Sequence, residues 1–432
     1  MQKNITKTPL AWTTEKRSVK DLLPSTYNPR KMTESERRDL EASIKEFGTV
    51  VPVVLNTGTR NNFLIGGHQR VIIYADLGID MVDAMIPSRE LDEREEQTLN
   101  LRLNKNLGSW DEALLKEINM NLLLDVGFDD EDLQALFDDI DTINDEFDVE
   151  KALKEMKVAR AKPGEIWKLG EHRLLVGDST DAEQVKKLMG DERADVIYCD
   201  PIYNIGLDYS KGVGTAGKYE GSYTSKKDSK KDSVYASFID ASMSAALSIA
   251  KPNAHIFYWC DSRYVGLIQK LYCDHDIDSK RTCLWIKNNS NMTPQIAWNK
   301  VYEPCVYGTI GKPFLNKNFT NANEILNQEV STGNQAHEEI FDMMDLWIER
   351  RDAGQGYLHP TQKPVTLNEK PLKRCSAPSH IVFSGFAGSG SDLIACEQLN
   401  RKWRGVELDP IFATVCIDRW EAFTNKKATL IV

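Results

Sequence analysis

Beyond Pro163-Gly164, short apolar runs alternate with helical stretches, and this alternation limits the fold more than any other feature of the chain. The runs are Arg173-Leu-Leu-Val176, Ala194-Asp-Val-Ile-Tyr-Cys199, His255-Ile-Phe-Tyr-Trp259, Thr282-Cys-Leu-Trp-Ile286 and His380-Ile-Val-Phe383. Helical stretches such as 234–250 and 391–400 fall between them. The pattern predicts an α/β domain over 161–432 with a doubly wound, largely parallel sheet. Two segments interrupt it. Residues 204–233 are rich in Gly, Ser, Tyr and Lys and read as a mobile loop. Residues 287–358 are polar and irregular, a length that in a compact domain marks function or disorder.

At 432 residues the chain exceeds one ordinary domain. Residues 10–110 read as a small separate α/β unit. Thr33 and Glu36 have capping-box spacing before a helical run that stops at Gly48. Val50–Leu55 and Asn62–Ile65 read as strands, and Gly66-Gly-His-Gln-Arg70 opens a helix that runs from Val71 to Leu77. Residues 111–160 read as an acidic helical connector and linker. Between Asp125 and Glu150 there are 12 Asp/Glu and no Lys or Arg, so the net charge of −11 is concentrated there. The rest of the chain is close to neutral, and the balance does not exclude a polyanionic partner. No apolar run is long enough for a membrane span and the first residues lack a secretory pattern, so a cytoplasmic protein is expected. The eight cysteines form no C-x-x-C pair, which favours buried reduced thiols and gives no reason to expect a metal.

Two blocks carry chemistry. Asp200-Pro-Ile-Tyr203 ends an apolar strand, where doubly wound sheets place their sites. An exocyclic amine on a nucleobase is a poor nucleophile because its lone pair is delocalised into the ring. The carboxylate of Asp200 and the carbonyl of Pro201 can accept its two hydrogens and localise the pair, while the Tyr203 ring can stack on an extruded base. The second block, Phe386-Ala-Gly-Ser-Gly-Ser391, follows one strand and precedes a helix. Glu407 lies nineteen residues past Gly388 at the end of Trp403-Arg-Gly-Val-Glu407, a spacing suited to ligand ribose hydroxyls.

Together these blocks resemble the β-class amino-methyltransferases, in which the catalytic block precedes the cofactor block in a circularly permuted order. The resemblance covers nearly all of 163–423. It includes Gly164–Thr180, with the Gly177-Asp178 pair, and His359-Pro-Thr-Gln-Lys-Pro364. It implies a Rossmann-like domain that transfers methyl from S-adenosylmethionine to an exocyclic amine of double-stranded DNA. Asp200, Pro201 and Tyr203 would be catalytic. Asp178, Thr361, Lys363, Phe386, Gly388, Ser389, Gly390 and Glu407 would bind the cofactor, with Thr361 and Lys363 at its methionine end. Asp in the first position leans toward adenine N6, where Ser leans toward cytosine N4. Cys305 lies in the apolar run Tyr302-Glu-Pro-Cys-Val-Tyr307 and reads as a core residue, not a C5 nucleophile. Two departures stand out: Ile202 where the family usually has Pro, and Ser384 where it has Asp; Gly385 and Asp392 are less usual as well. They motivate a rival reading, a catalytically weakened relic that binds DNA or nucleotide. A cytosine-N4 or RNA methyltransferase is a further rival.

Lys211, Lys218, Lys226, Lys227, Lys230 and Lys231 share the 204–233 loop with Tyr209, Tyr219 and Tyr223. They suit phosphate contact and base stacking, or a plain solvated loop given the acids among them. The 287–358 segment is the candidate target-recognition region. The first unit resembles ParB/sulfiredoxin-like domains through Asn28-Pro-Arg30, the strand pair and Gly66–Arg70. That resemblance implies Gly67, His68 and Arg70 facing a nucleotide phosphate, CTP among the candidates; Arg70 as a brace of the fold is the alternative. A bacterial or phage origin, a restriction–modification setting, association with the nucleoid and a homodimer complete the expectations.

Overall fold

The structure, a computed structural model, describes residues 10–25, 30–32, 34–104, 109–110, 112–137, 140–156, 158–206, 229–287, 297–316, 345–349 and 363–432. The chain divides into two compact units, 1–136 and 137–432. Residues 112–136 thus fall with the first unit and 137–160 with the second, a different division from the single connector expected over 111–160.

In the first unit β1 (Trp12–Ser18), β3 (Val53–Leu55), β4 (Leu64–Gly66) and β5 (Met81–Pro87) form one sheet in the order β1-β5-β3-β4. A separate small pair joins β2 (Arg30–Lys31) to β6 (Ser109–Trp110). The strands at 53–55 and 64–66 and the helix His68–Asp76 fall where the sequence placed them. The expected capping box lies outside the described residues, its Thr33 entirely and Glu36 in its side chain, while the helix itself spans Glu34–Phe47. β1 escapes sequence reading because Trp12-Thr-Thr-Glu-Lys-Arg-Ser18 is a mostly exposed edge strand, polar as such edges tend to be. Val53, Leu55, Leu64, Ile73, Tyr74, Val82 and Ala84 make the core. The fully buried Glu96 ties the helix Glu93–Asn104 to the sheet, through the Arg60 guanidinium and the Asn56 amide.

Among the described residues the second unit has ten strands: β7 (Ile166–Leu169), β8 (His172–Val176), β9 (Ala194–Cys199), β10 (Ala250–Trp259), β11 (Asp278–Ile286), β12 (Tyr302–Ile310), β13 (Leu346–Ile348), β14 (Ile381–Ser384), β15 (Lys402–Glu407) and β16 (Thr429–Leu430). They lie in the order β13-β11-β12-β10-β9-β14-β15-β8-β7-β16. The centre, from β10 to β8, is parallel as expected, and β9 is buried at every residue because helices cover both faces. The flanks are antiparallel where β12 meets β10 and β11, and where β7 meets β8 and β16.

The 287–358 region corrects the expectation of an irregular segment, since β12 and β13 lie within it. β12 pairs on both sides yet contains Pro304. Proline cannot donate to a ladder and so argues against an interior strand. Here the Pro304 carbonyl still accepts from Cys260 N at 3.1 Å. Cys305, next along the strand, is completely buried. Among the described residues no helix is long and apolar enough to cross a membrane, and no group of three or more His, Cys, Asp or Glu could hold a metal ion.

Candidate active site at the strand ends

The neighbouring parallel strands β9, β14, β15 and β8 deliver four chain segments to one edge of the sheet. After β9 comes Asp200-Pro-Ile-Tyr203, after β14 the glycine loop, at the end of β15 Glu407, and after β8 Gly177-Asp178. The chain leaves β9 for β10 on one side, while β14 lies on the other. Such a reversal of strand order opens a crevice at the carboxyl ends.

At one end of the crevice the backbone dominates. Gly388 (φ 54°) and Gly390 (φ 76°) adopt left-handed conformations that a side chain would strain. A Cβ on Gly390 would also crowd the Cys416 sulfur at 3.1 Å, whereas the space beside Gly388 is open. The Glu407 carboxylate accepts the N–H of Gly388 at 2.8 Å and of Asp409 at 3.0 Å. Its carbonyl accepts Gly177 N at 2.9 Å, which joins the Gly177-Asp178 turn to the loop. Burial pushes the Glu407 carboxyl up to about 7, despite those backbone donors. Phe386 packs edge-on against Phe238, with ring centroids 5.8 Å apart. The Asp178 carboxylate is engaged by the N–H and hydroxyl of Thr180, both at 2.8 Å.

At the other end side chains dominate. The Lys363 ammonium, only 6% exposed, pairs with Asp200 Oδ2 and donates to the Tyr203 hydroxyl at 3.0 Å. The same ammonium lies 3.7 Å from Glu303 and over the ring of Trp259. The Tyr203 hydroxyl lies 3.1 Å from Asp200 Oδ1 and 3.0 Å from Glu303, and its one proton can serve either. Glu303 also pairs with Lys287. Burial raises the Asp200 carboxyl above its ordinary value, against the pull of Lys363. Burial opposes ionisation of Glu303 too, but Lys363 and Lys287 outweigh it and hold that carboxyl low. Burial, reinforced by both carboxylates, keeps the Tyr203 phenol protonated.

The structure therefore brings Asp200, Tyr203 and Lys363 into one cluster, and gathers Phe386, Gly388, Ser389, Gly390 and Glu407 around the glycine loop. Pro201 is buried between Asp200 and Ile202. Thr361 lies outside the described residues, as do 207–228 of the basic loop and much of 287–358. Glu303 and Trp259 were not anticipated, and Lys287 was expected only as the start of the target-recognition region. A single acid inside the apolar run 302–307 was the available signal. Asn204 was also missed. Its side chain accepts Lys230 N at 2.6 Å and donates to the Tyr264 hydroxyl at 2.8 Å, which pins both ends of the loop.

The two departures have local answers. The Tyr235 hydroxyl donates to the Ile202 carbonyl at 2.8 Å, which holds the turn that a second proline would have stiffened. Ser384 lies beside the buried Asp392 and favours its charged form, and Asp392 accepts the Trp403 indole N–H at 3.0 Å. A carboxylate thus stands directly behind the strand end. In the first unit Gly67 is left-handed (φ 96°) at the start of its helix, and Arg70 donates to the carbonyls of Val51 and Pro52. His68 meets the Ser25 hydroxyl at 2.7 Å, and burial lowers its pKa to about 4.

A family model described as DNA methylase matches residues 194–417, more than half of the chain, and one described as the ParB N-terminal domain matches 8–107. The Escherichia coli (strain K12) protein YubD is 44% identical over 50 residues, which make up 12% of this chain and 22% of that protein. Type II methyltransferase M.HpaI of Haemophilus parainfluenzae is 33% identical over 67 residues, 16% of this chain and 21% of that protein. The matched stretches span about a fifth of each curated relative. Among solved structures, the M1.HpyAVI–SAM complex covers 57% of this chain and 97% of its own, with 20% identity and a TM-score of 0.39.

Proposed function

The chain belongs to the DNA methylase family, and we propose on that footing that it transfers a methyl group from S-adenosylmethionine to an exocyclic amino group of DNA, adenine N6 being the preferred target. One observation carries the reading. An acid–aromatic turn, Asp200–Tyr203, and a glycine loop backed by Glu407 leave neighbouring strands in the parallel centre of one sheet at the same edge.

The residues fit the methyl donor by their chemistry. Gly388 leaves open space for a ligand, Glu407 offers a carboxylate for sugar hydroxyls, and Lys363 offers an ammonium for a carboxylate. When bound, S-adenosylmethionine supplies an electrophilic methyl group on a sulfonium.

Asp200 and the Pro201 carbonyl accept the two N–H hydrogens of the amine and concentrate its lone pair. As the amine takes the methyl group the sulfonium–methyl bond would break to leave a neutral thioether, and the proton shed by the amine would pass to the Asp200 carboxylate, whose affinity for it burial has raised. Glu303 and Tyr203 give Lys363 alternative partners, so an incoming amine can claim an Asp200 oxygen without stranding a buried ammonium. Tyr203 offers a ring for stacking, its hydroxyl fixed within the cluster.

The preference for adenine rests on Asp at the head of the tetrapeptide. The anchored Ile202 carbonyl and the Asp392–Ser384 contact favour a working enzyme over a relic. The test is to incubate the protein with labelled S-adenosylmethionine and unmethylated duplex DNA, followed by nucleoside analysis. Label in N6-methyladenine that disappears in Asp200→Ala is the expected result. Label in N4-methylcytosine would reassign the target, label only in parallel RNA would reassign the substrate, and background label in both proteins would favour the relic.

A further inference from the structure

The segment 140–156 precedes the matched methylase region, yet it is fastened to both pieces of chain that the proposed donor pocket needs. The helix Val365–Cys375 starts two residues after Lys363, and its N-cap, Pro364, has no capping side chain of its own. Asn144 supplies the cap from outside. Its side-chain oxygen accepts Val365 N at 2.8 Å and Thr366 N at 3.3 Å.

The next residue, Asp145, accepts from one edge of the Arg419 guanidinium with both of its oxygens, Nε to Oδ2 at 2.7 Å and Nη2 to Oδ1. The two side chains are 6% and 2% exposed. The remaining nitrogen of Arg419 donates to the Ser389 carbonyl at 2.9 Å, in the middle of the glycine loop. The flanking chain is held as well. Thr142 bonds the Glu369 carboxylate through its N–H and hydroxyl, Ile143 pairs both ways with Gln398, and Val149 and Leu153 pack on Val415.

We propose that Asn144 and Asp145 are positioning residues of the methyl-donor pocket, Asn144 fixing the helix behind Lys363 and Asp145 fixing the glycine loop through Arg419. This rests on the donor assignment above. A loop with two left-handed glycines has much conformational freedom to lose on binding, and a charged donor on its central carbonyl removes part of that cost beforehand. Arg419 can stay buried at Ser389 only while Asp145 neutralises it. Neither residue touches the reacting atoms, so donor affinity is what they control.

The test is calorimetric titration of the full chain with S-adenosylmethionine, together with thermal unfolding and steady-state kinetics. Asp145→Asn and Asn144→Ala should each weaken donor binding about tenfold, the order expected for loss of one charge-assisted or capping interaction. KM for the donor should rise in step, with kcat within about twofold. Because Asp145→Asn also leaves a buried charge, the pair Asp145→Leu/Arg419→Met is measured beside it. Apolar replacement of both partners should restore thermal stability while donor affinity stays weak. Donor affinity that recovers with stability, or that never changed in Asp145→Asn, overturns the proposal alone. A wild-type chain that binds no donor overturns the donor assignment and this inference with it.

Discussion

Asp200 and Glu407 are both acids at the carboxyl ends of parallel strands, and burial raises the pKa of each, yet they are held in opposite ways. Glu407 is gripped by backbone, the N–H groups of Gly388 and Asp409, all within the stretch 388–409. Asp200 is gripped by side chains, and its cluster draws on β9, β10, β12 and Lys363, spread over more than 160 residues of sequence. A backbone cradle depends on which residues permit a turn. A side-chain cluster depends on which distant residues the sheet happens to bring together.

The sharpest way to break this comparison is Asp200→Ala. It should lower methyl transfer about 10²–10³-fold, the scale seen when one preorganised polar contact to the reacting group is removed. Unfolding measured alongside should move little, and intact activity would place the amine elsewhere. Glu303→Ala should act on stability instead. It removes the carboxylate paired with Lys287, while Lys363 keeps Asp200, and a loss of about 3 kcal/mol in denaturant unfolding, the lower end for a broken buried pair, is expected.

Glu407→Gln should weaken donor binding about tenfold and alter its pH dependence. In the wild type the carboxyl titrates near 7, so affinity through an ionised Glu407 should strengthen as pH rises through that value, and the variant should not follow. The stability slope has the opposite sign. A carboxyl raised from 4.5 to about 7 in the fold contributes stability that is complete below pH 4.5 and is lost as pH climbs through about 7. Melting scans of the donor-free protein should show that decline, and Glu407→Gln should flatten it.

Lys363→Met should shift the acid limb of the kcat profile to higher pH, because the charge that opposes burial at Asp200 is gone. The smallest effect is expected from Arg70→Ala in the first unit. Its carbonyl partners on Val51 and Pro52 mark a brace, so thermal stability should fall while affinity in a CTP titration stays the same. Reduced CTP affinity would instead make Arg70 a phosphate contact.

Much of the second unit was legible because its central strands are apolar throughout. Ala194–Cys199 was read to the residue, and the strand ending at Val176 to within one. β12 was not, since Glu303 and Pro304 interrupt its pattern and only pairing on both sides makes it a strand. The glycine loop and Glu407 were read from their spacing together with the strand–loop–helix–strand order around them. Lys363 was singled out, but for the donor's methionine end, and its contact with Asp200 could not be foreseen.

The order of the chain by itself determined which segments become buried parallel strands, and hence that Asp200, the glycine loop and Glu407 emerge at one edge. Local rules suffice for that, because strand propensity, glycine conformations and helix starts act over a few residues. The tertiary structure alone decided the company each acid keeps. Glu303, Lys287 and Trp259 around Asp200, and Asp145 behind the Ser389 loop, are charges and rings whose partners lie far along the chain. For Asp200 and Glu303, low-dielectric burial sets the balance of ionisation only once those partners have met.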